Sequence, residues 1–178
     1  VYDGDFWDFF SKGMKIEKAL PLGTIVTISA TGSEASPDTI ITKEEGMYKI
    51  AADGDAVRPV FSIMNPALTM TCPPYQKACG ITDMMTHVME RYFSNTKDVE
   101  ITDRVGEGIL KAIITEGKRV MAEPDNYEAH ANIMWAGTIA HNDSVGIGRD
   151  QDWGPHHIEH ELSGLYDCAH GAGLAVVY

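Results

Sequence analysis

Carboxylate and imidazole side chains at helical spacing are the most informative feature of this sequence. Asp83 and His87 stand four residues apart, as do His156 and His160, and His170 follows ten residues later. Residues four apart lie on one face of a helix, so Asp83 and His87 would present an oxygen and a nitrogen ligand together. His156 and His170 could complete a set of four. The spacing therefore predicts a divalent-metal centre and, with it, an enzyme.

The predicted ligand set narrows the choice of metal. One carboxylate and three imidazoles suit Fe(II), Zn(II), Co(II) or Ni(II) and are too rich in nitrogen for calcium or magnesium. The small residues Gly171 and Gly173 would allow the backbone after His170 to approach a neighbouring element closely. The remaining histidines are predicted to have packing or surface roles: His130, His141 and His157.

A second interpretation uses part of the same stretch. His156, Glu159 and His160 match the H-x-x-E-H pattern of zinc peptidases, in which two histidines bind zinc and the glutamate is the general base. This zinc hydrolase would leave Asp83, His87 and His170 without a role. It stays open as the alternative function.

Composition limits the partners. With 178 residues, 44% hydrophobic and 22% charged, the chain is typical of a soluble globular protein, and no apolar run reaches transmembrane length. A net charge of −12 argues against nucleic acid and anionic membranes as partners. Three cysteines without a CxxC pair indicate a reducing, cytoplasmic location. The chain lacks an initiator methionine and stops in an apolar run, which predicts a piece of a longer protein.

The elements that must position these side chains change character near residue 72. The first part is predicted to hold a short helix, a strand, a hairpin and a buried strand, over residues 6–18, 24–29, 39–51 and 60–64. A turn is expected at residues 30–34. The second part has helical periodicity over residues 76–92, 99–121, 127–141 and 152–165, and a fifth helix begins near His170. The turn at residues 123–126 carries an N-cap signal for the third of these helices.

Several segments resemble one known family. Residues 80–90, Gly-Ile-Thr-Asp-Met-Met-Thr-His-Val-Met-Glu, resemble the Gly-x-x-Asp-Ala-x-x-His-x-x-Glu signature of the iron-containing (group III) alcohol dehydrogenases. Residues 154–171 resemble the second signature of that family, and residues 25–34 are similar to its Thr-Gly-Ser-Glu element. The resemblance covers nearly the whole chain and is strongest to the bacterial butanol dehydrogenase and broad-range aldehyde reductase branch.

The resemblance implies a fold and a set of site residues. The fold is α/β plus all-α: residues 1–72 end a Rossmann-like nucleotide-binding domain, and residues 73–178 form a truncated helical metal-binding domain, as in dehydroquinate synthase-like architecture. Asp83, His87, His156 and His170 match the metal ligands, and His160 matches a proton relay beside the nicotinamide. Asp38 falls near the nicotinamide end of the pocket. The positions that match contacts to NAD(P) are Thr27, Thr31, Gly32, Ser33, Ser36 and Lys49.

The implied activity is hydride transfer between NAD(H) or NADP(H) and a small alcohol or aldehyde, with Fe2+ or Zn2+ polarising the substrate oxygen. An ordinary, near-neutral pKa would suit His160 to proton transfer. Met84, Met85 and Trp153 could wall an alkyl-tolerant pocket or could simply pack in the core. The resemblance is compatible with a homodimer. The pyrophosphate-binding loop of the family is absent, so a non-catalytic fragment is a further alternative.

Overall fold

The structure is a computed structural model that describes residues 2–178. Its first part contains helix α1 and four short strands: α1 Asp8–Ser11, β1 Gly23–Ile25, β2 Asp38–Lys43, β3 Tyr48–Asp53 and β4 Phe61–Ile63. Its second part is helical: α2 Ala67–Met70, α3 Pro74–Tyr92, α4 Glu100–Ala122, α5 Tyr127–His141, α6 Gly154–Tyr166 and α7 His170–Val177. No helix among the described residues is both long and apolar enough to cross a membrane.

The strands form two small sheets. β1 pairs in parallel with β4, and β2 pairs antiparallel with β3 in a hairpin whose register joins Asp38 to Asp53 and Lys43 to Tyr48. The turn of this hairpin places Gly46 and Met47 at positive φ. The predicted hairpin is confirmed.

Helices α3, α4 and α5 pack around one core, and α7 packs against α3 and α6. The core consists of apolar side chains that face inward at helical spacing, such as Met84, Val88, Ile113, Val120, Ile133 and Ala140. Pro74 begins α3, and the Asn126 side chain caps α5 by accepting a hydrogen bond from the backbone N–H of Ala129 at 3.0 Å. The predicted helices of this part and the predicted cap are confirmed.

Three predictions in the first part were wrong. The helix over residues 6–18 is reduced to Asp8–Ser11, because Gly13 adopts a left-handed φ of 60° that an α-helix cannot continue through. The strand over residues 24–29 ends at Ile25, where its three-residue pairing with β4 ends. The strand over residues 60–64 is not buried, since 61% of Phe61 is exposed and no described element covers it fully.

Candidate metal centre and cofactor cleft

Three helices bring the predicted metal ligands to one point. Asp83 and His87 lie on the same face of α3, His156 lies in the first turn of α6, and His170 is the first residue of α7. Gly171 makes this convergence possible, because any Cβ there would overlap the carbonyl oxygen of Cys79 on α3. The predicted close backbone approach after His170 is therefore present.

One carboxylate oxygen stands at the centre of the cluster. Asp83 Oδ1 lies 3.6 Å from His87 Nε2, 3.5 Å from His156 Nε2 and 3.6 Å from His170 Nε2. Asp83, His156 and His170 form a group whose donor atoms all lie within 4.8 Å of one another; His87 is not in that group, although its Nε2 lies 3.6 Å from Asp83 Oδ1. Ligand atoms about 2.0–2.2 Å from a tetrahedral metal ion lie roughly 3.3–3.6 Å apart, so the three distances from Asp83 Oδ1 suit such an ion.

The hydrogen-bonding state of the donors supports the same fit. Asp83 Oδ1 and His156 Nε2 are fully buried and have no hydrogen-bond partner within residues 2–178. Buried polar atoms in native proteins nearly always have partners, and an unpaired donor set costs free energy. A bound cation would satisfy both atoms at once. The residues present therefore fit a divalent transition metal.

Two buried glutamates orient the histidines from behind. Glu90 accepts a hydrogen bond from His156 Nδ1 and a second from the His156 backbone N–H at 3.0 Å. Glu159 accepts a hydrogen bond from His170 Nδ1. A proton held on Nδ1 leaves the lone pair of Nε2 free for a metal ion, which is the usual role of such carboxylates beside metal-binding histidines.

The electrostatics differ between two of the ligands. Burial, and then the charges of His141 and His156, lower the pKa of His87 well below its usual range, so the ring is neutral. Burial acts in the same direction on His156, but the carboxylates of Asp83 and Glu90 outweigh it and raise the pKa of that ring to about 9. Without a cation His156 is protonated at neutral pH, and metal binding must release that proton.

His160 lies on the same side of α6 as His156, with its ring centroid 5.4 Å from that of His170. Burial, followed by the charges of His170 and Lys49, lowers the pKa of His160 to about 4. The structure thus differs from the near-neutral pKa expected from the sequence: His160 is a neutral imidazole at pH 7.

A cleft of about 1000 Å³ opens beside the metal centre. Four of the predicted cofactor residues line it, Thr31, Ser33, Ser36 and Lys49, together with His160 and three candidate ligands, His87, His156 and His170. Lys49 Nζ donates a hydrogen bond of 2.6 Å to Ser163 Oγ and lies 3.8 Å from Glu159 Oε2. The hydroxyl-rich turn after β1 and the candidate metal ligands therefore line one space.

The other predicted cofactor positions lie outside the lining of the cleft. Thr27 is exposed, and Gly32 is buried at a φ of 61°, where an added Cβ would lie 2.8 Å from the Cβ of His141. Gly32 shapes the turn over residues 30–34, since its carbonyl oxygen accepts from the backbone N–H groups of Ala35 and Ser36. The predicted turn is present.

Of the two roles left open for Met84, Met85 and Trp153, core packing applies to the two methionines. Met84 is completely buried in the helical core, and Met85 packs against that core from its edge. Trp153 does line the cleft, where its ring lies edge-on to those of His87 and His156. Helical periodicity places methionines on a core face and does not show which of them reaches a cavity.

The environment of Glu159 does not suit the general base of a hydrolase. Its side chain is fully buried, is not part of the cleft lining, and accepts the Nδ1 proton of His170. Glu159, His160 and His170 do form a second group of candidate ligands within 4.8 Å. The group around Asp83 is the better site, because Asp83 Oδ1 lies 3.5–3.6 Å from one nitrogen of each of three histidines, whereas Glu159 Oε2 is already bonded to His170.

Sequence reasoning missed three contributors. Glu90 stands seven residues after Asp83, a spacing that returns to the same helix face, so its position could have been found from the motif. Glu159 was assigned only to the hydrolase interpretation. His141 was left as structural, yet its ring stacks on His87 with centroids 4.0 Å apart. Its partner Asp38 lies on β2, far away in the sequence, and no local pattern joins them.

Comparisons with known proteins identify the family of this chain. Residues 77–178 match the family described as Fe-containing alcohol dehydrogenase family, C-terminal, and residues 1–66 match iron-containing alcohol dehydrogenase. The chain is 43% identical over 176 residues to NADH-dependent butanol dehydrogenase A of Clostridium acetobutylicum, covering 99% of the chain and 45% of that protein. It is 39% identical to NADPH-dependent aldehyde reductase YqhD of Escherichia coli, over 97% of the chain and 45% of the relative.

Solved structures show the same fold. The crystal structure of NADH-dependent butanol dehydrogenase A from Thermotoga maritima matches with a TM-score of 0.94 at 42% identity, over 98% of this chain and 44% of that one. The chain thus spans less than half the length of the relatives it matches. The mixed α/β and helical fold expected from the sequence is confirmed. The chain belongs to the iron-containing alcohol dehydrogenase family.

Proposed function

We propose that this chain carries the metal centre and one side of the cofactor cleft of an NAD(P)H-dependent alcohol dehydrogenase or aldehyde reductase. The observation that carries the proposal is the single Asp83 oxygen that lies 3.5–3.6 Å from one nitrogen of each of three histidines. We assign residues 1–72, which contain the strands, to the nucleotide-binding domain. We assign residues 73–178, which are helical, to the metal-binding domain.

The cofactors and substrates are inferred from the relatives. The family is iron-containing, and its members that resemble this chain are named for NADH or NADPH and for butanol or aldehyde. We therefore assign Fe2+, or Zn2+ as a second metal that suits the same ligands, NAD(H) or NADP(H), and a small alcohol or aldehyde as substrate.

Asp83, His87, His156 and His170 would hold the cation. When bound, the cation supplies Lewis-acid polarisation of the substrate oxygen and the nicotinamide supplies or accepts hydride. Glu90 and Glu159 keep two of the imidazoles in the tautomer that can ligate. The deep burial of Asp83 and His87 excludes water from the ligand side of the centre.

His160 is the chain's candidate for proton transfer. It lies in the cleft, within 5.4 Å of the His170 ring by centroid distance. A pKa of about 4 keeps His160 neutral at pH 7, so its ring presents one N–H donor and one acceptor nitrogen and can relay a proton by accepting one as it gives up the other. In the direction of aldehyde reduction the same ring relays a proton inward.

The cofactor side is built from small hydroxyl residues and one cation. Thr31, Ser33 and Ser36 line the cleft and can donate hydrogen bonds to phosphate or ribose oxygens, and Lys49 adds a positive charge. Thr27 and Gly32 belong to the same segment and would act by shaping its turn. This assignment makes the cleft the shared space of cofactor and metal.

The assembly and location follow from composition and resemblance. A net charge of −12 keeps the protein away from nucleic acid and anionic membranes, and cytoplasm is its expected compartment. A homodimer is the expected assembly. Sedimentation equilibrium on the protein would return twice the chain mass if this is correct and a single chain mass if it is wrong.

The test is metal content and cofactor binding in matched histidine variants. His156→Ala should lose the bound divalent ion, whereas His157→Ala, the exposed neighbour on the same helix, should keep it. Metal content would be measured by inductively coupled plasma mass spectrometry, and NADPH binding by its fluorescence. Equal metal content in the two variants would contradict the ligand assignment. Metal binding without saturable NADPH binding would favour the non-catalytic fragment.

A further inference from the structure

His87 is held differently from the other two candidate histidine ligands. The Nδ1 atoms of His156 and His170 donate to Glu90 and Glu159, but His87 Nδ1 is buried and finds no hydrogen-bond partner in the part of the chain that the structure describes. Its ring instead stacks on that of His141, with centroids 4.0 Å apart and planes inclined by 25°. The orientation of His87 therefore depends on a neighbouring ring.

His141 is itself fixed at both nitrogens. Its Nε2 lies 2.8 Å from Asp38 Oδ2, and its Nδ1 lies 3.2 Å from Arg91 Nη2. An arginine can only donate hydrogen bonds, so Nδ1 must be the acceptor and Nε2 carries the proton that Asp38 accepts. With both nitrogens engaged, His141 has no lone pair to offer to a metal ion, although it touches a ligand.

Arg91 is in turn anchored to the backbone around both histidines. Its Nη1 donates to the carbonyl oxygens of His87 at 2.9 Å and Ala140 at 3.2 Å, and its guanidinium lies 4.4 Å from the Trp153 ring centroid. The arginine is almost fully buried. The ring of His141 is thus set from two sides, by α3 through Arg91 and by β2 through Asp38.

We propose that His141, fixed by Asp38 and Arg91, is a positioning residue for the metal ligand His87. The inference rests on the proposed metal centre and deepens it. Because Asp38 lies on the hairpin that borders the cofactor cleft, this contact makes the geometry of a metal ligand depend on the first part of the chain. Stacking takes the place of the carboxylate that the other two histidines have.

The test uses the protein loaded with Co2+, whose visible absorption reports ligand geometry and whose release to a chelator gives a dissociation rate. His141→Leu keeps the volume but removes the stacked ring, and we expect a changed Co2+ spectrum and about tenfold faster release, the size typical of lost outer support. His141→Phe restores a stacked ring and should release Co2+ more slowly than His141→Leu.

His130→Leu is the matched control. His130 is a buried histidine on the same helix and is hydrogen-bonded to Thr69 Oγ1 and to the carbonyl oxygen of Pro124. It is eleven residues before His141, which places it about 16 Å away along the helix axis. This variant should lower the melting temperature without altering the Co2+ spectrum. A Co2+ release rate that rises equally in His130→Leu and His141→Leu would overturn the inference, because the effect would then be general destabilisation.

Asp38→Ala tests the positioning of His141 independently, at a residue that is only half-buried. It removes the acceptor of His141 Nε2 and should also accelerate Co2+ release, whereas Asp38→Asn retains an acceptor and should release Co2+ more slowly than Asp38→Ala. Unchanged spectra and release rates in both His141→Leu and Asp38→Ala would refute the positioning role while leaving the metal centre intact. A parent protein that binds no Co2+ would refute the proposed function itself.

Discussion

The two parts of this chain are stabilised in different ways. In the helical part Met84, Ile113 and Ala140 are completely buried in one core shared by α3, α4 and α5. In the first part the strand residues Ile25 and Phe61 are 60% and 61% exposed. The candidate ligand atoms thus sit on the tightly packed helices, whereas strands β1 and β4 are much less covered.

A few polar contacts join the loosely packed part to the helices. Lys49 on β3 donates to Ser163 on α6, Asp38 on β2 accepts from His141 on α5, and Thr138 on α5 donates to Glu34 at 2.5 Å. Lys49, Asp38 and His141 among these residues line the cleft. The comparison suggests that rigidity comes from apolar packing at the ligands and from paired polar groups at the cofactor side.

Removing apolar volume should affect the two parts very differently. Ile113→Ala deletes a fully buried side chain and should lower the free energy of unfolding by about 2–5 kcal/mol. Ile63→Ala on β4, whose side chain is 48% exposed, should change it by roughly 0.5 kcal/mol or less. Urea unfolding followed by circular dichroism measures both. Equal decreases in the free energy of unfolding would contradict the proposed difference in packing between the helical part and the strands.

The second prediction concerns the carboxylate behind His156. Glu90→Gln removes the charge that orients this ring and should weaken metal affinity by about 10–100-fold. Glu100→Gln changes an exposed carboxylate that pairs with Arg104 on α4 and serves as the control, with unchanged affinity. Competition with a chelator of known affinity gives both values. An unaltered affinity in Glu90→Gln would mean that α3 packing alone holds the site.

The third prediction concerns the dependence of metal affinity on pH. The pKa of His156 is raised to about 9 in the metal-free chain, so the ring is protonated below that value and must lose its proton to bind a cation. Affinity should therefore fall by about tenfold per unit as pH decreases from 9 towards 7, and level off above 9. Titrating Zn2+ against a chelator at several pH values tests the sign. A flat profile would show that His156 is neutral before metal binding.

The candidate ligands Asp83 and His87 could be identified from the sequence because their spacing is local. Asp83 and His87 share one helix face, so a pattern four residues long identifies them. The supports of the site could not be predicted in the same way: Glu90 meets His156 and Asp38 meets His141 only after separate elements pack together. The prediction that β4 is buried was wrong for a related reason, since apolar composition does not show whether another element covers a strand.

The pKa of His160 illustrates the same limit. Its identity and its place four residues after His156 are visible in the sequence, but the burial that lowers its pKa to about 4 depends on the neighbouring α7 helix and on Lys49. Helix ends were predictable where capping residues mark them, as at Asn126 and Pro74. Candidate ligands at a fixed spacing can thus be predicted from one segment of the sequence, whereas the pKa of a side chain depends on the packed structure.

The most direct test of the central claim is a crystal structure of the protein grown with its metal, with diffraction collected on both sides of the iron and zinc absorption edges. We predict one anomalous peak bonded to Asp83 Oδ1 and to the Nε2 atoms of His87, His156 and His170, at about 2.0–2.2 Å. A peak bonded instead to Glu159, His160 and His170, or a protein with no anomalous peak near Asp83, would contradict the account.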